Sequence, residues 1–521
     1  MAPTIRAFHT DGALAGVASV ALGAGLGELV GALVGGSPVA AVGSVLIDLA
    51  PPWGKDLAIS LFGTGDKAAL IAAVAIVLLL VGAATGLLAR RSVAGAQTVV
   101  VVAGLLGVGA AVSRADASTL AAAPPVVGAA VTLLALHLLL RRATASPAPV
   151  SGPVPASPPP SEGVGHHASR REFLVWTTGA AAAGLLAAAG GWALRAGSRA
   201  VDAVRTAIAL PRAPVPVVVP ATADLGITGL APVLTPTADF YRIDTALAPP
   251  QIDPATWRLR IHGLVDREVE IGWDELLALP LEESVTTLTC VSNEVGGDLV
   301  GTARWLGYPI RHLLAQAGVH ADADMVLSTS ADGFTAGTPL ETLTDERNAI
   351  LAVGMNGEPL PIAHGFPVRM VVPGLYGYVS ATKWVTDLEV TRFADAEGYW
   401  ISRGWAARGP IKLASRIDVP RRGAAVTAGE TVIAGVAWQQ HVGVRGVQVR
   451  IDDGEWQDAA LATAISDDTW VQWSLPWRAS AGRHTLTARA IGVDGTPQTQ
   501  DAAPPAPDGA TGWPSVAVTV A

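Results

Sequence analysis

The 521-residue sequence contains one cysteine, Cys290. A lone thiol rules out an intramolecular disulfide, and it rules out zinc or iron–sulfur sites built from several thiolates. The C-x-x-C-H pattern of covalently attached c-type haem is also absent. By residue type alone two readings of Cys290 stay open: a small buried hydrophobe, or a reactive or metal-binding thiolate. His137 is the one histidine within a long apolar stretch. It has no second histidine to share a haem with and is read as an isolated polar residue.

The elements around Cys290 would place it firmly. Val285–Thr289 is a β-branched run, so it predicts a strand whose end delivers Cys290 into the glycine-rich Val291–Gly297 loop. Such a thiol has a fixed base, and the glycines leave room for close backbone approach. Upstream, Trp257, Leu259 and Ile261 alternate with polar residues and predict another strand, while Trp273–Leu279 predicts a short helix stopped by Pro280. Trp305–Ala317 has helical spacing at Leu306, Ile310, Leu313 and Leu314, with Gly318 as its stop. Strands and helices mix without regular alternation, which makes the class α+β. After Gly398 the helical signal ends. Short β-rich runs follow at Thr431–Trp438, Gly446–Ile451, Trp470–Leu475, His484–Ala490 and Ser515–Val520, with a hairpin turn at Asp452-Asp453-Gly454. Their even spacing predicts an immunoglobulin-like β-sandwich.

The first part of the chain is of another kind. Half of all residues are hydrophobic and 15% are charged, and mean hydropathy is positive, at +0.42. Five apolar stretches, Gly12–Val34, Ala68–Ala89, Ala94–Val112, Pro124–Leu140 and Phe173–Leu194, approach the roughly 20 residues that span a bilayer core. Pro38–Ala50 is apolar but short, and reads as interfacial or re-entrant. Arg6, Arg90, Arg91, Arg141, Arg142, Arg170 and Arg171 fall in alternate loops. The retention of such residues in the cytoplasm puts the N-terminus inside and everything after Leu194 outside; Arg195 and Arg199 oppose this assignment. Residues 143–168, rich in Pro, Ala and Ser, read as a flexible linker. They lead to Ser169-Arg170-Arg171-Glu172-Phe173-Leu174, which looks like a twin-arginine export signal. That translocase moves folded proteins, which suits a domain loaded with a bulky cofactor before export. The fifth span lacks a convincing cleavage site and is expected to remain as an anchor. Net charge is −9, and no basic run marks a nucleic-acid footprint.

Several motifs now fall into one order. Thr289–Gly297, Gly301–Trp305, Asn356–Pro361, His364–Arg369, Val372–Gly374 and Thr382–Trp384 together resemble the sulfite-oxidase family of molybdopterin enzymes, over roughly Asp239–Phe393. The resemblance implies a molybdenum–molybdopterin cofactor with Cys290 as the protein's metal ligand, a soft thiolate suited to that metal. It also implies that His364, Arg369, Thr382 and Lys383 line the pterin, where a terminal phosphate calls for fixed cations. Tyr241 and Arg242 match a segment that approaches the cofactor. Arg242 is the expected substrate-side group, with Arg304 as a second candidate, and Asn293 shapes the loop after Cys290. Tyr376 and Tyr378 are read as aromatic packing near the site. The C-terminal sandwich resembles the family's dimerisation domain, which implies a homodimer.

The match has gaps. Sulfite-oxidising members carry an arginine shortly after the ligand cysteine, where this chain has Glu294 and Val295, and a tyrosine where it has Val353–Met355. An anionic substrate wants cations there, so the substrate class stays open. No b5-type haem segment is recognisable, so electrons are expected to pass to or from an external carrier, a cytochrome or a quinone. The expected layout is a four-helix transmembrane region (1–142), a linker with the twin-arginine motif (143–172), a fifth transmembrane helix (173–194), a tether (195–235), a molybdopterin-binding catalytic domain (236–395) and an immunoglobulin-like domain (396–521). The expected protein is an oxidoreductase acting on a small molecule, multi-pass in the cell membrane, with its catalytic and C-terminal domains extracytoplasmic. The alternative is a cofactor-free exported scaffold or binding module held by the helices.

Overall fold

The computed structural model describes residues 2–51, 54, 57, 61–62, 65–114, 117–144, 170–196 and 199–521. Most of the expected linker, and Ser169 of the arginine motif, lie outside the described residues. Two compact units are present: Met1–Arg199 with Ala246–Ala248, and Ala200–Thr245 with Pro249–Ala521.

Among the described residues of the first unit, five helices are long and apolar enough to cross a membrane: Thr10–Val34, Lys67–Ala89, Val93–Val112, Ala123–Ala143 and Arg171–Leu194. They fall where the apolar runs predict them. The first helix packs against three others through small residues. A Cβ on Gly16 would lie 2.0 Å from the Gly82 carbonyl oxygen, and one on Gly25 would lie 1.9 Å from that of Gly184. The small residues let these helix backbones approach one another closely. The short apolar stretch forms a helix at Pro38–Leu49. Ser37 caps it by accepting from the Ala40 amide. The Glu28 carboxylate accepts from Ser37 Oγ and from the Val39 amide at 2.9 Å.

The second unit is built on three sheets. The strands are β1 (Arg258–Gly263), β2 (Val269–Gly272), β3 (Glu282–Thr289), β4 (Val300–Pro309), β5 (Met325–Ser330), β6 (Thr335–Pro339), β7 (Ile350–Met355), β8 (Glu358–Pro359), β9 (Arg369–Val371) and β10 (Val385–Thr391). One sheet runs β2-β1-β10-β5-β6 and another β3-β4-β7-β8, with β9 added on β7. Only the β1–β10 pairing in these sheets is parallel. Short helices at Trp273–Ala278 and Ile310–Ala317 cover this core. The helix expected over Trp305–Ala317 therefore starts later. Trp305 to Pro309 belong to β4, paired with β3 and β7 on either side, and those ladders override the local helical spacing.

Downstream lie β11 (Ala414–Val419), β12 (Ala425–Val426), β13 (Gly429–Trp438), β14 (Val444–Ile451), β15 (Gln457–Leu461), β16 (Val471–Ala479), β17 (Gly482–Gly492) and β18 (Ser515–Val520). They form one eight-stranded path, β11-β13-β16-β15-β14-β17-β18-β12. The path folds over a shared core in which Ile433, Trp473 and Leu475 meet Val449, Leu486 and Ala488. The turn at Asp452–Gly454 joins β14 to the antiparallel β15, as its sequence predicts.

Residues 208–235, expected as a tether, run bound along this unit. The Val217 amide donates to Glu283, that of Leu225 to Gln472 and that of Ala231 to Asp418. Trp470 Nε1 donates to the Val233 carbonyl at 2.9 Å. Side-chain acceptors far along the chain satisfy a backbone that proline keeps out of regular ladders.

Candidate functional site

Cys290 follows β3, and the strand's end is pinned from several directions. Gln440, just after β13, donates through its amide nitrogen to the Thr287 carbonyl at 3.1 Å and to Thr289 Oγ1 at 2.8 Å. The Trp470 amide donates to Thr287 Oγ1, and the Gly377 amide to the Thr289 carbonyl at 3.1 Å. Past the cysteine the loop closes on itself. Asn293 Oδ1 accepts from the Leu299 amide at 2.8 Å, and the Cys290 amide donates to the Leu299 carbonyl. The Ser292 amide points at Cys290 Sγ, 3.4 Å away. Burial pushes the thiol's pKa up, and this amide works against the shift.

The thiol opens into a cavity enclosing about 930 Å³, part of it open to solvent. Tyr241, His364, Arg369 and Lys383 share its wall. Arg369 is buried on β9, and a cis Phe366-Pro367 bond precedes that strand. Among the described residues its guanidinium donates to carbonyls, those of His364 at 3.1 Å, Met370 at 3.3 Å and Ala381 at 3.5 Å. It also stacks 5.0 Å from the Trp305 ring. Burial lowers its pKa to about 10. Lys383 donates to Asp244 Oδ2 at 2.6 Å and to the Ala363 carbonyl at 3.3 Å. Burial pulls this ammonium down to about 8 despite the raising effect of Asp244. His364 is lowered to about 3, first by burial, then by Arg369, Lys383 and Arg242. Its imidazole is therefore neutral at pH 7. Burial raises the Tyr241 phenol, Cys290 adds to the rise, and Arg369 opposes it.

Three residues singled out from the sequence sit behind the wall rather than in it. Asn293 holds the loop. Thr382 shares a hydrogen bond with Ser328, Oγ1 to Oγ at 2.7 Å. Arg242 pairs with Asp244 at 2.9 Å on the exposed side. Arg304, the second substrate-side candidate, lies on β4, where it grips Glu283 and the Val217 carbonyl. Asp244 was not singled out from the sequence, though it lies two residues after Arg242. Phe334, Trp400 and Trp405 likewise line the cavity without a motif to mark them. Tyr378 lines it too, with its ring packed 5.9 Å from that of Trp405.

Residues 246–400 match the family model described as an oxidoreductase molybdopterin binding domain. Mouse mitochondrial sulfite oxidase is 32% identical over 309 residues, covering 50% of this chain and 56% of its own length. The chain thus spans little more than half of the mammalian sulfite oxidases it matches. The oxidoreductase YuiH of Bacillus subtilis is 33% identical over 173 residues, 33% of this chain and 84% of that one. Among solved structures, the sulfane dehydrogenase SoxCD of Paracoccus pantotrophus aligns with 51% of this chain and 75% of its own, at 23% identity and a TM-score of 0.46. The chain belongs to the sulfite-oxidase family of molybdopterin oxidoreductases.

The residues present fit that family's cofactor. Among the described residues no three His, Cys, Asp or Glu side chains gather to hold a metal ion. A metal at Cys290 must therefore arrive with most of its own donor atoms, as molybdenum does on a dithiolene. Arg369 and Lys383 place two buried cations in one wall with Asp244 as their nearby carboxylate. Lys383 has Asp244 beside it, whereas Arg369 is held by carbonyl oxygens, and a phosphate would give that buried guanidinium an anionic partner.

Proposed function

We propose that this chain is a membrane-anchored oxidoreductase that carries out two-electron, oxygen-atom-type chemistry at molybdenum held by Cys290. The observation that carries the reading is the shared cavity: one thiol on a pinned strand end opens beside Arg369, Lys383 and His364. When bound, the molybdenum–molybdopterin group would supply two-electron redox change and oxygen-atom exchange. The chain's residues have separable tasks. Arg369 offers a fixed planar cation to a phosphate or a pterin edge. Lys383 keeps its proton below about pH 8 and supplies a second positive point. His364, neutral and buried, is a hydrogen-bond partner that adds no charge. Tyr241 keeps its phenolic proton and can donate it as a hydrogen bond near Cys290. Phe240 packs edge-on against His364, with ring centroids 5.7 Å apart, and helps exclude water.

The anchor reading rests on the five long apolar helices. The distribution of arginines and the Ser169–Leu174 motif support a cytoplasmic N-terminus and an extracytoplasmic catalytic part. Electrons would then pass to or from a separate carrier, a cytochrome or a membrane quinone. The folded-over eight-stranded path is compatible with an immunoglobulin-like domain, and by family likeness it would dimerise. Mouse sulfite oxidase is named for sulfite; here sulfite is one candidate beside S-oxides and N-oxides.

The test is the molybdenum and pterin content of purified protein, wild type against Cys290→Ala. About one metal per chain in the wild type, with altered metal binding or a changed metal spectrum in the variant, is the expected result. Absence of both metal and pterin, under conditions that load a known molybdoenzyme, would leave the cofactor-free scaffold as the better account.

A further inference from the structure

The outer face of the C-terminal sheet gathers two arginines and two tryptophans. Arg450 on β14 and Arg489 on β17 lie on paired antiparallel strands. Trp456 immediately precedes β15, and Trp513 stands two residues before β18. Val447, Val449, Ala488 and Ala490 of the same strands enter the core, so the alternating arginines face outward. The Arg489 guanidinium carbon is 4.2 Å from the Trp456 ring centroid and 5.6 Å from that of Trp513. That of Arg450 is 5.0 Å and 5.7 Å from the same two rings. The indoles meet edge to face with centroids 5.0 Å apart. Two like charges thus share one aromatic frame.

Among the described residues neither guanidinium meets a carboxylate. Arg489 donates from two nitrogens to Gln448 Oε1, at 2.9 and 2.6 Å. Asp458 is one step removed, accepting from the Gln448 amide at 2.9 Å. Arg450 Nε is buried with no hydrogen-bond partner. Burial, and then the charge on Arg450, lower the Arg489 pKa. The turn before Trp456 carries Asp452, Asp453 and Glu455, so the surroundings are not generally basic. An anion here must be held by the two guanidiniums themselves, not by long-range attraction. Thr487 stands opposite Arg450, and Ser515 opposite Thr487, which puts two hydroxyls on the same face.

We propose that Arg450 and Arg489, framed by Trp456 and Trp513, bind a phosphate group. Guanidinium forks match the spacing of phosphate oxygens, and two of them match its charge better than that of a single carboxylate. The indoles hold the forks in place, so little side-chain freedom is lost on binding. None of these four residues lines the Cys290 cavity, so the site is separate from the cofactor's. The phosphate can belong to a free ion or ester, or to a phospholipid headgroup, a depth at which tryptophan and arginine are both at home. The lipid source rests on the membrane anchoring proposed above; the site itself does not, nor does it depend on the redox chemistry.

The experiment titrates full-length protein with inorganic phosphate and with glycerol 1-phosphate, by calorimetry, in a maltoside detergent that carries no phosphate. At least one of the two is expected to bind and to raise the unfolding temperature of the wild type. Arg450→Met and Arg489→Met should each weaken binding about ten-fold or more and abolish the thermal shift. Arg450→Lys, a milder change for the sheet, keeps the charge but not the fork and should weaken binding by a smaller factor. The titration is repeated in nanodiscs of equal parts phosphatidylcholine and phosphatidylglycerol. Binding in both media supports a free phosphate as the occupant. Binding in detergent that disappears in nanodiscs supports a lipid headgroup already seated there. No binding of either probe in detergent would overturn the proposal. So would binding unchanged in all three arginine variants, because the anion would then sit elsewhere, with Arg369 in the Cys290 cavity as the first alternative.

Discussion

Lys383 and Asp244 form a 2.6 Å ion pair with side chains 10% and 5% exposed, and the same Asp244 oxygen also takes Arg242 at 2.9 Å. One carboxylate thus tempers the positive corner of the cavity. Asp244→Asn should destabilise the cofactor-free protein by about 3 kcal/mol, since removing one partner leaves a buried charge uncompensated. Lys383→Met should cost less, because Arg242 still pairs with the Asp244 carboxylate. The double variant should cost less than the sum, with a coupling of at least about 1 kcal/mol in denaturant unfolding. Additive losses would show that the pair does not act as a unit.

His364 predicts a pH dependence with a definite sign. Its folded pKa is lowered to about 3 from 6.5, chiefly by burial. Below pH 6.5 the unfolded chain takes up a proton that the folded site refuses, so acid favours unfolding. Stability from this group should fall from pH 6.5 toward pH 3, by up to about 1.4 kcal/mol per unit. The measurement is the difference between wild type and His364→Gln across that range. It should be independent of pH above pH 7 and shift steadily against the wild type on acidification. A flat difference would mean that His364 titrates normally.

Arg369 should matter for its shape as well as its charge. Arg369→Lys keeps a cation, but it loses the planar fork held by three carbonyls and stacked on Trp305. Pterin content should drop by about ten-fold or more, with secondary structure intact by circular dichroism. Retention of full pterin would assign the phosphate to other donors.

Much of this was legible from local pattern. The five apolar helices each carry their own length signal, and Cys290 sits at the end of a β-branched run that becomes β3. What escaped depends on distant partners. Asp244 gains meaning from Lys383, 139 residues away. The Pro-rich segment after residue 208 looks like a tether until Glu283, Gln472 and Asp418 supply its acceptors. Trp305 carries a helical spacing, yet its neighbours on both sides are strands. Trp400 and Trp405 lie past the last cofactor motif, so no spacing linked them to the cavity.

Gln440 links the C-terminal sheet to the cysteine. Its amide reaches β3 twice, while its own Oε1 is buried without a hydrogen-bond partner. A buried amide with an unmet acceptor carries a desolvation cost, and its two donated bonds offset part of it. Gln440→Ala removes both bonds, so it should destabilise by about 1–3 kcal/mol. If the residue positions Cys290, metal-loaded Gln440→Ala should also show a shifted molybdenum spectrum at unchanged metal content. Gln440→Glu keeps the length but loses the amide's donors, so it should share the spectral shift. A stability loss with an unaltered spectrum in both variants would confine Gln440 to packing.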